Sequence, residues 1–163
     1  MSYESFAFVK FDEEITNSRI LSSLNEFKTE VDGEDIILHI NEYQFILKIN
    51  DEVEIFLNRN NINAAAIDVV ILGNNGDNRY DHYYKNLQQN LFKNTTQLAY
   101  KHLVGDYDTV SGFALYSACK ILKSGRIPSS LRLNTSTPEK MKNILIYNQY
   151  LGRDHSLILL SAV

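Results

Sequence analysis

Residues 101–122 read KHLVGDYDTVSGFALYSACKIL: a lysine, a glycine followed by an acid, then a helix-length run rich in small residues. Ser111, Gly112, Ala114, Ser117 and Ala118 allow close backbone approach, while Phe113, Leu115, Ile121 and Leu122 supply apolar contacts on several sides. A helix that is apolar nearly all round is expected to be buried. Gly125 ends it and Pro128 follows, the order that helix C-termini prefer. A chain of 163 residues seldom encloses a helix on every side, so this one is expected to be covered by a second half or a partner.

Outward from this stretch the chain alternates strands and helices. TQLAY (96–100) reads as a short strand and KHLVGDYD (101–108) as a loop feeding a helix over 109–124. Before it, AIDVVIL (66–72) is too continuously apolar for a half-exposed strand. It stops at GNNGDN (73–78), a loop leading to a helix with Tyr84, Leu87 and Leu91 on one face. Asp51 and Glu54 have the spacing of a capping box for a helix containing Val53, Ile55, Phe56 and Leu57. At the far end NILIYN (143–148) and SLILLSA (156–162), joined by the turn-like QYLGRDH, are expected to pair as an antiparallel hairpin. The order from Asp51 is α, β, α, β, α, β, β.

Upstream, SFAFVKF (5–11) is apolar on both faces and predicts a covered strand. Ile20, Leu21, Leu24 and Phe27 recur at helical spacing and predict a short helix over 17–31. DIILHI (35–40) and YQFILKI (43–49) predict a hairpin about Asn41-Glu42. The expectation is one α/β domain over 1–163: a lead-in strand, helix and hairpin over 1–50, then a helix-covered, mixed and mostly parallel sheet over 51–163. The loops that act in such sheets gather at the carboxyl ends of strands, where GNNGDN and KHLVGDYD both sit.

Composition narrows the partners. A net charge of −4 with no dense Lys/Arg stripe argues against nucleic acid, which needs clustered cations. One cysteine, Cys119, excludes a disulfide framework and a CxxC metal pair, which fits a reducing, cytoplasmic setting. Residues 1–10 carry acids and a lysine where a signal peptide needs an unbroken apolar run, and no stretch reaches the length of a membrane span.

Three stretches over 67–162 resemble the carboxy-terminal half of a β-ketoacyl synthase, the condensing-enzyme branch of the thiolase-like superfamily. IDVVILGNNGDN is similar to the family's IDYINAHGTGTP; with Gly73 on its first glycine, the family histidine falls on Leu72. KHLVGDYD and the helix after it resemble the family's lysine, three residues, Gly-His loop and small-residue helix. Lys101 and Gly105 match, while Asp106 stands in place of the second histidine. NILIYNQYLGRDHSLILLSA looks like the closing hairpin, with Gly152 on a family glycine, Asp154 on its asparagine and Ser156 on its serine. SFAFVKF resembles the strand that leads out of the family's first half. The acid-for-histidine loop is most similar to a divergent branch tied to aryl-polyene and flexirubin-type pigment pathways.

The resemblance implies one half of a duplicated fold, without the half that holds the nucleophilic cysteine. Cys119 does not replace it, because it lies within a helix rather than at a sharp strand-to-helix turn. In the family two histidines polarise the thioester carbonyl and assist malonyl decarboxylation, a donor stabilisation of developing negative charge. An ionised Asp106 repels that charge. Asp106 is therefore either an altered acid or base or a loop acid stabilised by a helix dipole; Lys101 is either the family lysine or a solvated lysine after a strand. Gly73, Gly105, Ser111, Phe113, Gly152 and His155 would shape the pocket or the fold. His155 lies between Asp154 and Ser156, but neighbours on a strand point to opposite faces, which opposes a triad.

GNNGDN lacks the spacing of a phosphate-binding loop. Asp77, Asp81 and His82 fit no zinc or calcium signature, and Asp77 or Asn78 would serve as a helix cap, so neither metal nor cofactor is expected. The expected function is a synthase-like subunit of fatty-acid or polyketide assembly of aryl-polyene type, non-catalytic alone. In the manner of a chain-length factor, its partners would be a cysteine-bearing ketosynthase and acyl carrier protein. Two alternatives stay open: an acyl-thioester-processing enzyme using Asp106 and Lys101, and a homodimeric module in which a second copy of the chain supplies the other half.

Overall fold

The structure is a computed structural model, and it describes residues 25–31, 34–44 and 48–162; for 25–31 and 34–44 the description is of the backbone. The strand expected over 5–11 lies outside these residues. Six strands form one mixed sheet in the order β1-β2-β6-β5-β3-β4. They are β1 (Asn25–Val31), β2 (Glu34–Gln44), β3 (Val69–Leu72), β4 (Thr96–Ala99), β5 (Asn143–Tyr150) and β6 (Asp154–Ala162). The helices are α1 (Ile49–Arg59), α2 (Asp81–Gln89), α3 (Lys101–Val104) and α4 (Ser111–Ser124). The α/β class is as expected. Over 51–163 the sheet is mixed and mostly parallel, as expected: β3 pairs parallel with both β4 and β5, and β5 pairs antiparallel with β6, while β1 and β2 add two antiparallel pairings at the other edge.

Alternation along β3 and β5 builds two cores. Val70, Leu72, Leu145 and Tyr147 point to the face covered by α1 and α2, where they meet Val53, Phe56, Leu57, Tyr84 and Leu87. Val69, Ile71, Ile144 and Ile146 point to the other face, where α4 lays down Ala114, Ala118, Ile121 and Leu122. All four residues of β3 and of β4 are buried, which is why both read as continuous rather than alternating runs.

The amino-terminal region differs most from expectation. Residues 25–31 form β1 rather than the end of a helix, paired with β2 through Val31↔Glu34. The two residues between are Asp32-Gly33, a strongly favoured hairpin pair. The hairpin therefore does not lie about Asn41-Glu42, because β2 runs straight through those residues, which pair with Leu157 and Ser156 of β6. The YQFILKI run is divided: Tyr43 and Gln44 finish β2, while Ile49 begins α1.

Helix starts also shift. α1 begins two residues before the expected cap, with Lys48 at its N-cap and no side-chain capping bond, so Asp51 and Glu52 act as first-turn carboxylates facing the helix dipole. Likewise α2 starts after Tyr80. Neither Asp77 nor Asn78 caps it, and Asp77 instead binds the backbone and guanidinium of Arg79. Gly125 ends α4 with φ 62°, as its sequence position predicts. The loop expected at 101–108 opens with the short helix α3.

The largest correction concerns α4. It is not buried all round: Ala114, Ala118, Ile121 and Leu122 face the sheet, whereas Gly112, Tyr116, Lys120 and Lys123 are exposed. Its apolar outer residues are uncovered among the described residues. No helix among them is long and apolar enough to cross a membrane.

Candidate functional site

Parallel register sets the carboxyl ends of β5, β3 and β4 side by side. Leu72 pairs with Tyr147 on one side and Ala99 on the other, so the following residues Asn148, Gly73 and Tyr100 come next in line across the sheet. The Gly73 amide donates to the Tyr147 carbonyl at 2.9 Å. A Cβ on Gly73 would lie 2.1 Å from Asn148 Oδ1, so the Asn148 side chain occupies the space a larger residue would need. Leu72 is fully buried in the α1/α2 core and takes no part in the surface chemistry.

From β4 the chain enters α3, whose first residue is Lys101. Gly105, at φ 84°, reverses the backbone, a conformation that L side chains adopt at a cost. Its amide returns to the Lys101 carbonyl at 2.8 Å. This reversal brings Asp106 onto its own lysine: Lys101 Nζ lies 2.8 Å from Asp106 Oδ1. The lysine side chain is 4% exposed and the aspartate 43%.

The second carboxylate oxygen accepts from Asn75 Nδ2 at 2.8 Å. Asn75 belongs to the loop after β3, and its own Oδ1 accepts the amide of Asp77 at 3.1 Å, closing an Asx turn with Gly76 at φ 81°. The two loops at the strand ends are thus joined through Asp106. Burial alone would raise its pKa. Hydrogen bonds from Lys101 and Asn75, together with the lysine charge, outweigh that and hold the carboxyl below the usual aspartate value.

Around this pair lie buried polar groups without partners among the described residues: Tyr100 Oη, Asn74 Oδ1 and Asn148 Oδ1. Tyr100 is fully buried and stacks on Phe113 of α4 at 6.4 Å, and burial pushes its phenol well above the ordinary value. Ser111 and Phe113 stand in the first turn of α4. Cys119 sits half-buried in the middle of that helix, with its thiol pushed up by burial, and so is held as the neutral thiol rather than as a nucleophilic thiolate.

Gly73, Lys101, Gly105 and Asp106 therefore meet at one end of the sheet, with Phe113 stacked on the neighbouring Tyr100. Gly152 and His155 do not join them. His155 is buried on the α1/α2 side, its Nδ1 2.9 Å from the Tyr147 hydroxyl and its ring edge-on to Tyr83. Asp154 is exposed, as the opposed faces of a strand require. Sequence reasoning missed Asn75, Asn148 and Tyr100. Asn75 was read as part of a plain turn, and its contact with Asp106 spans 31 positions.

The buried imidazole carries a pH dependence. Burial lowers the His155 pKa below that of free histidine, with the Gly152 backbone and then the Asp154 charge pulling in the other direction. The unfolded chain, titrating near pH ~6.5, takes up the proton before the folded one does. Stability from this residue is complete above that pH and is lost as pH falls toward the folded value. Urea midpoints at pH 7.5 and pH 5.5 should show the loss, and His155→Phe should show a smaller one. Equal losses in both chains would place the pH dependence elsewhere.

Two clefts lie away from the pair. One, of about 490 Å³, runs past Asp68, Lys93 and Thr96 at the amino ends of β3 and β4. The other, of about 520 Å³, follows the outer side of α4. Neither is lined by Lys101 or Asp106. No protein-family model, curated protein or solved structure matches this chain.

Proposed function

We propose that this chain is a condensing-enzyme-like subunit, of β-ketoacyl synthase type, that shapes an acyl site without performing the condensation itself. The reading rests on the sequence resemblance, and one observation carries it further. The two loops that the resemblance assigns to carbonyl polarisation are tied together at the strand ends, but by a Lys101–Asp106–Asn75 cluster instead of paired donors.

That cluster is poorly suited to stabilising an oxyanion. The lysine ammonium is already engaged by a carboxylate, and the carboxylate is held ionised at neutral pH, where it repels negative charge. A carboxyl with a depressed pKa is also a weak general base at neutral pH. Cys119, held as a thiol within α4, is not placed for covalent acyl transfer, so a nucleophilic cysteine would have to come from outside these residues. The pair instead fixes the geometry of the two loops. This is the part expected of a chain-length-factor-like partner in fatty-acid or polyketide assembly, the aryl-polyene type included, beside a ketosynthase and an acyl carrier protein.

The test is co-expression with a cysteine-bearing condensing enzyme, followed by light scattering and an assay with malonyl and acyl carrier thioesters. A stable one-to-one complex is expected, with no condensation by the lone chain and an altered product length when it is bound. Thioester turnover by the lone chain that is lost in Asp106→Asn would establish the processing enzyme instead. A homodimer indifferent to such partners would establish the self-pairing module.

A further inference from the structure

We propose that Asn75 is a site of spontaneous covalent modification: it deamidates in the folded chain through the Gly76 nitrogen, and the acid produced unties the two strand-end loops from each other. This inference does not depend on the condensing-enzyme reading.

Asn75-Gly76 is the one Asn-Gly pair in the sequence. Asparagine is among the labile residues of proteins. Glycine is the neighbour that least obstructs the reaction, because it carries no Cβ beside the nitrogen that attacks. Both residues are exposed. The space where a Cβ on Gly76 would stand is open, with nothing within 4 Å.

The loop is fastened on both sides of the pair. Before it, the Gly73 amide donates to the Tyr147 carbonyl at 2.9 Å. After it, the Asp77 carboxylate accepts from the backbone and guanidinium of Arg79. Between these points the Asn75 side chain is folded back along its own chain, its Oδ1 accepting the Asp77 amide at 3.1 Å to close an Asx turn. The ring of that turn contains both Asn75 Cγ and the Gly76 nitrogen, the two atoms that must bond. The Asp77 N–H also points at the oxygen on which negative charge gathers as the nitrogen adds, the place of a donor in an oxyanion hole.

The chemistry balances with water alone. Hydroxide removes the Gly76 amide proton, the nitrogen adds to Asn75 Cγ, and the Cγ–Nδ2 bond breaks as ammonia leaves with a proton from water. The cyclic imide then takes up one water at either carbonyl, giving aspartate, or isoaspartate with the backbone running through the former side chain. Nothing is oxidised or reduced.

The product falls on the cluster at the strand ends. Asn75 Nδ2 donates to Asp106 Oδ2 at 2.8 Å, while Lys101 Nζ holds Asp106 Oδ1. Deamidation replaces that donor with a carboxylate and leaves one ammonium to serve two carboxylates, which repel each other at hydrogen-bond distance. The 73–78 and 101–108 loops then push apart where they were bonded. In the isoaspartyl form the lengthened backbone breaks the Asx turn as well.

The test holds the native chain at mildly alkaline pH beside a sample unfolded in urea, with peptide mass spectrometry distinguishing amide from acid at residue 75. Conversion in the native chain is expected to be first order, independent of protein concentration, faster as pH rises, faster at Asn75 than at any other asparagine, and severalfold slower in Gly76→Ala. The proposal is overturned if Asn75 persists in the native chain while the unfolded one converts, or if Gly76→Ala converts as fast. Asn75→Asp carries the charge of the product from the start and should lower the urea midpoint. Adding Asp106→Asn exchanges the two groups and restores a donor between the loops, so the double variant should recover part of that loss. A silent Asn75→Asp, or losses that simply add in the double variant, would overturn the untying.

Discussion

Gly152→Ala should destabilise the chain by about 2–4 kcal/mol, the sum of a left-handed backbone cost and an overpacking cost. The β5–β6 hairpin closes over Leu151, Gly152 and Arg153, with Leu151 at φ 52° and Gly152 at φ 64°. The Arg153 amide donates to the Tyr150 carbonyl at 3.0 Å, and the Gly152 amide donates to Gln149 Oε1 at 2.7 Å. A Cβ on Gly152 would stand 2.7 Å from Cδ1 and 2.8 Å from Cε1 of Tyr80, at the start of α2. The hairpin tip and α2 thus meet without room for a methyl group.

Gly76 provides the internal control. It has φ 81° but nothing within 4 Å of where its Cβ would go, so Gly76→Ala pays the backbone cost alone, about 1 kcal/mol. Urea midpoints of the two variants measure the difference, and Tyr80→Ala in the Gly152→Ala background should recover part of it. If the two alanine variants lose the same stability, the hairpin moves away from α2 freely and the contact is not a restraint.

What the sequence disclosed followed from how local each signal was. β3 and β6 were legible because burial on both faces or on alternate residues is written in consecutive positions. The end of α4 was legible because Gly125 supplies a conformation that few residues adopt. β1 was misread because Phe27 was counted into one helical period with Ile20, Leu21 and Leu24, which lie outside the described residues. Asp32-Gly33, a stronger short-range hairpin signal, was not weighed against that period. The course of β2 beside β6 depends on register between segments more than a hundred positions apart, which no local pattern encodes.

The site divides in the same way. Lys101 and Asp106 were singled out by the resemblance, through the lysine, three residues and glycine of 101–105, and the structure brings the two side chains together around Gly105. Asn75 could not be singled out, because its role exists only where parallel pairing aligns two strand ends. For α4, composition correctly gave small and apolar residues but not which face they would occupy. Ala114, Ala118, Ile121 and Leu122 are buried against the sheet with Phe113 and Leu115 half-buried beside them, whereas Gly112 and Tyr116 face outward.

Asp106→Asn is expected to cost about 2 kcal/mol, between the losses typical of broken exposed and broken buried ion pairs. The two partners differ in environment: the Lys101 side chain is 4% exposed, while that of Asp106 is 43% exposed. Removing the carboxylate charge strands an ammonium in the interior. Removing the lysine leaves an aspartate that water and Asn75 still solvate. Lys101→Met should therefore cost less than Asp106→Asn, and the double variant should resemble Lys101→Met alone, since no buried charge is then left unpaired. The pH dependence has a fixed sign. Because the folded carboxyl titrates below its unfolded value, the pair's contribution is present above the ordinary aspartate pKa and is lost as pH falls through the depressed one. The acid limb of the stability curve should be shallower in Asp106→Asn than in the parent chain. If Asp106→Asn is silent, or Lys101→Met is the more damaging change, the lysine reaches solvent in solution and the two strand-end loops are held by something other than this pair.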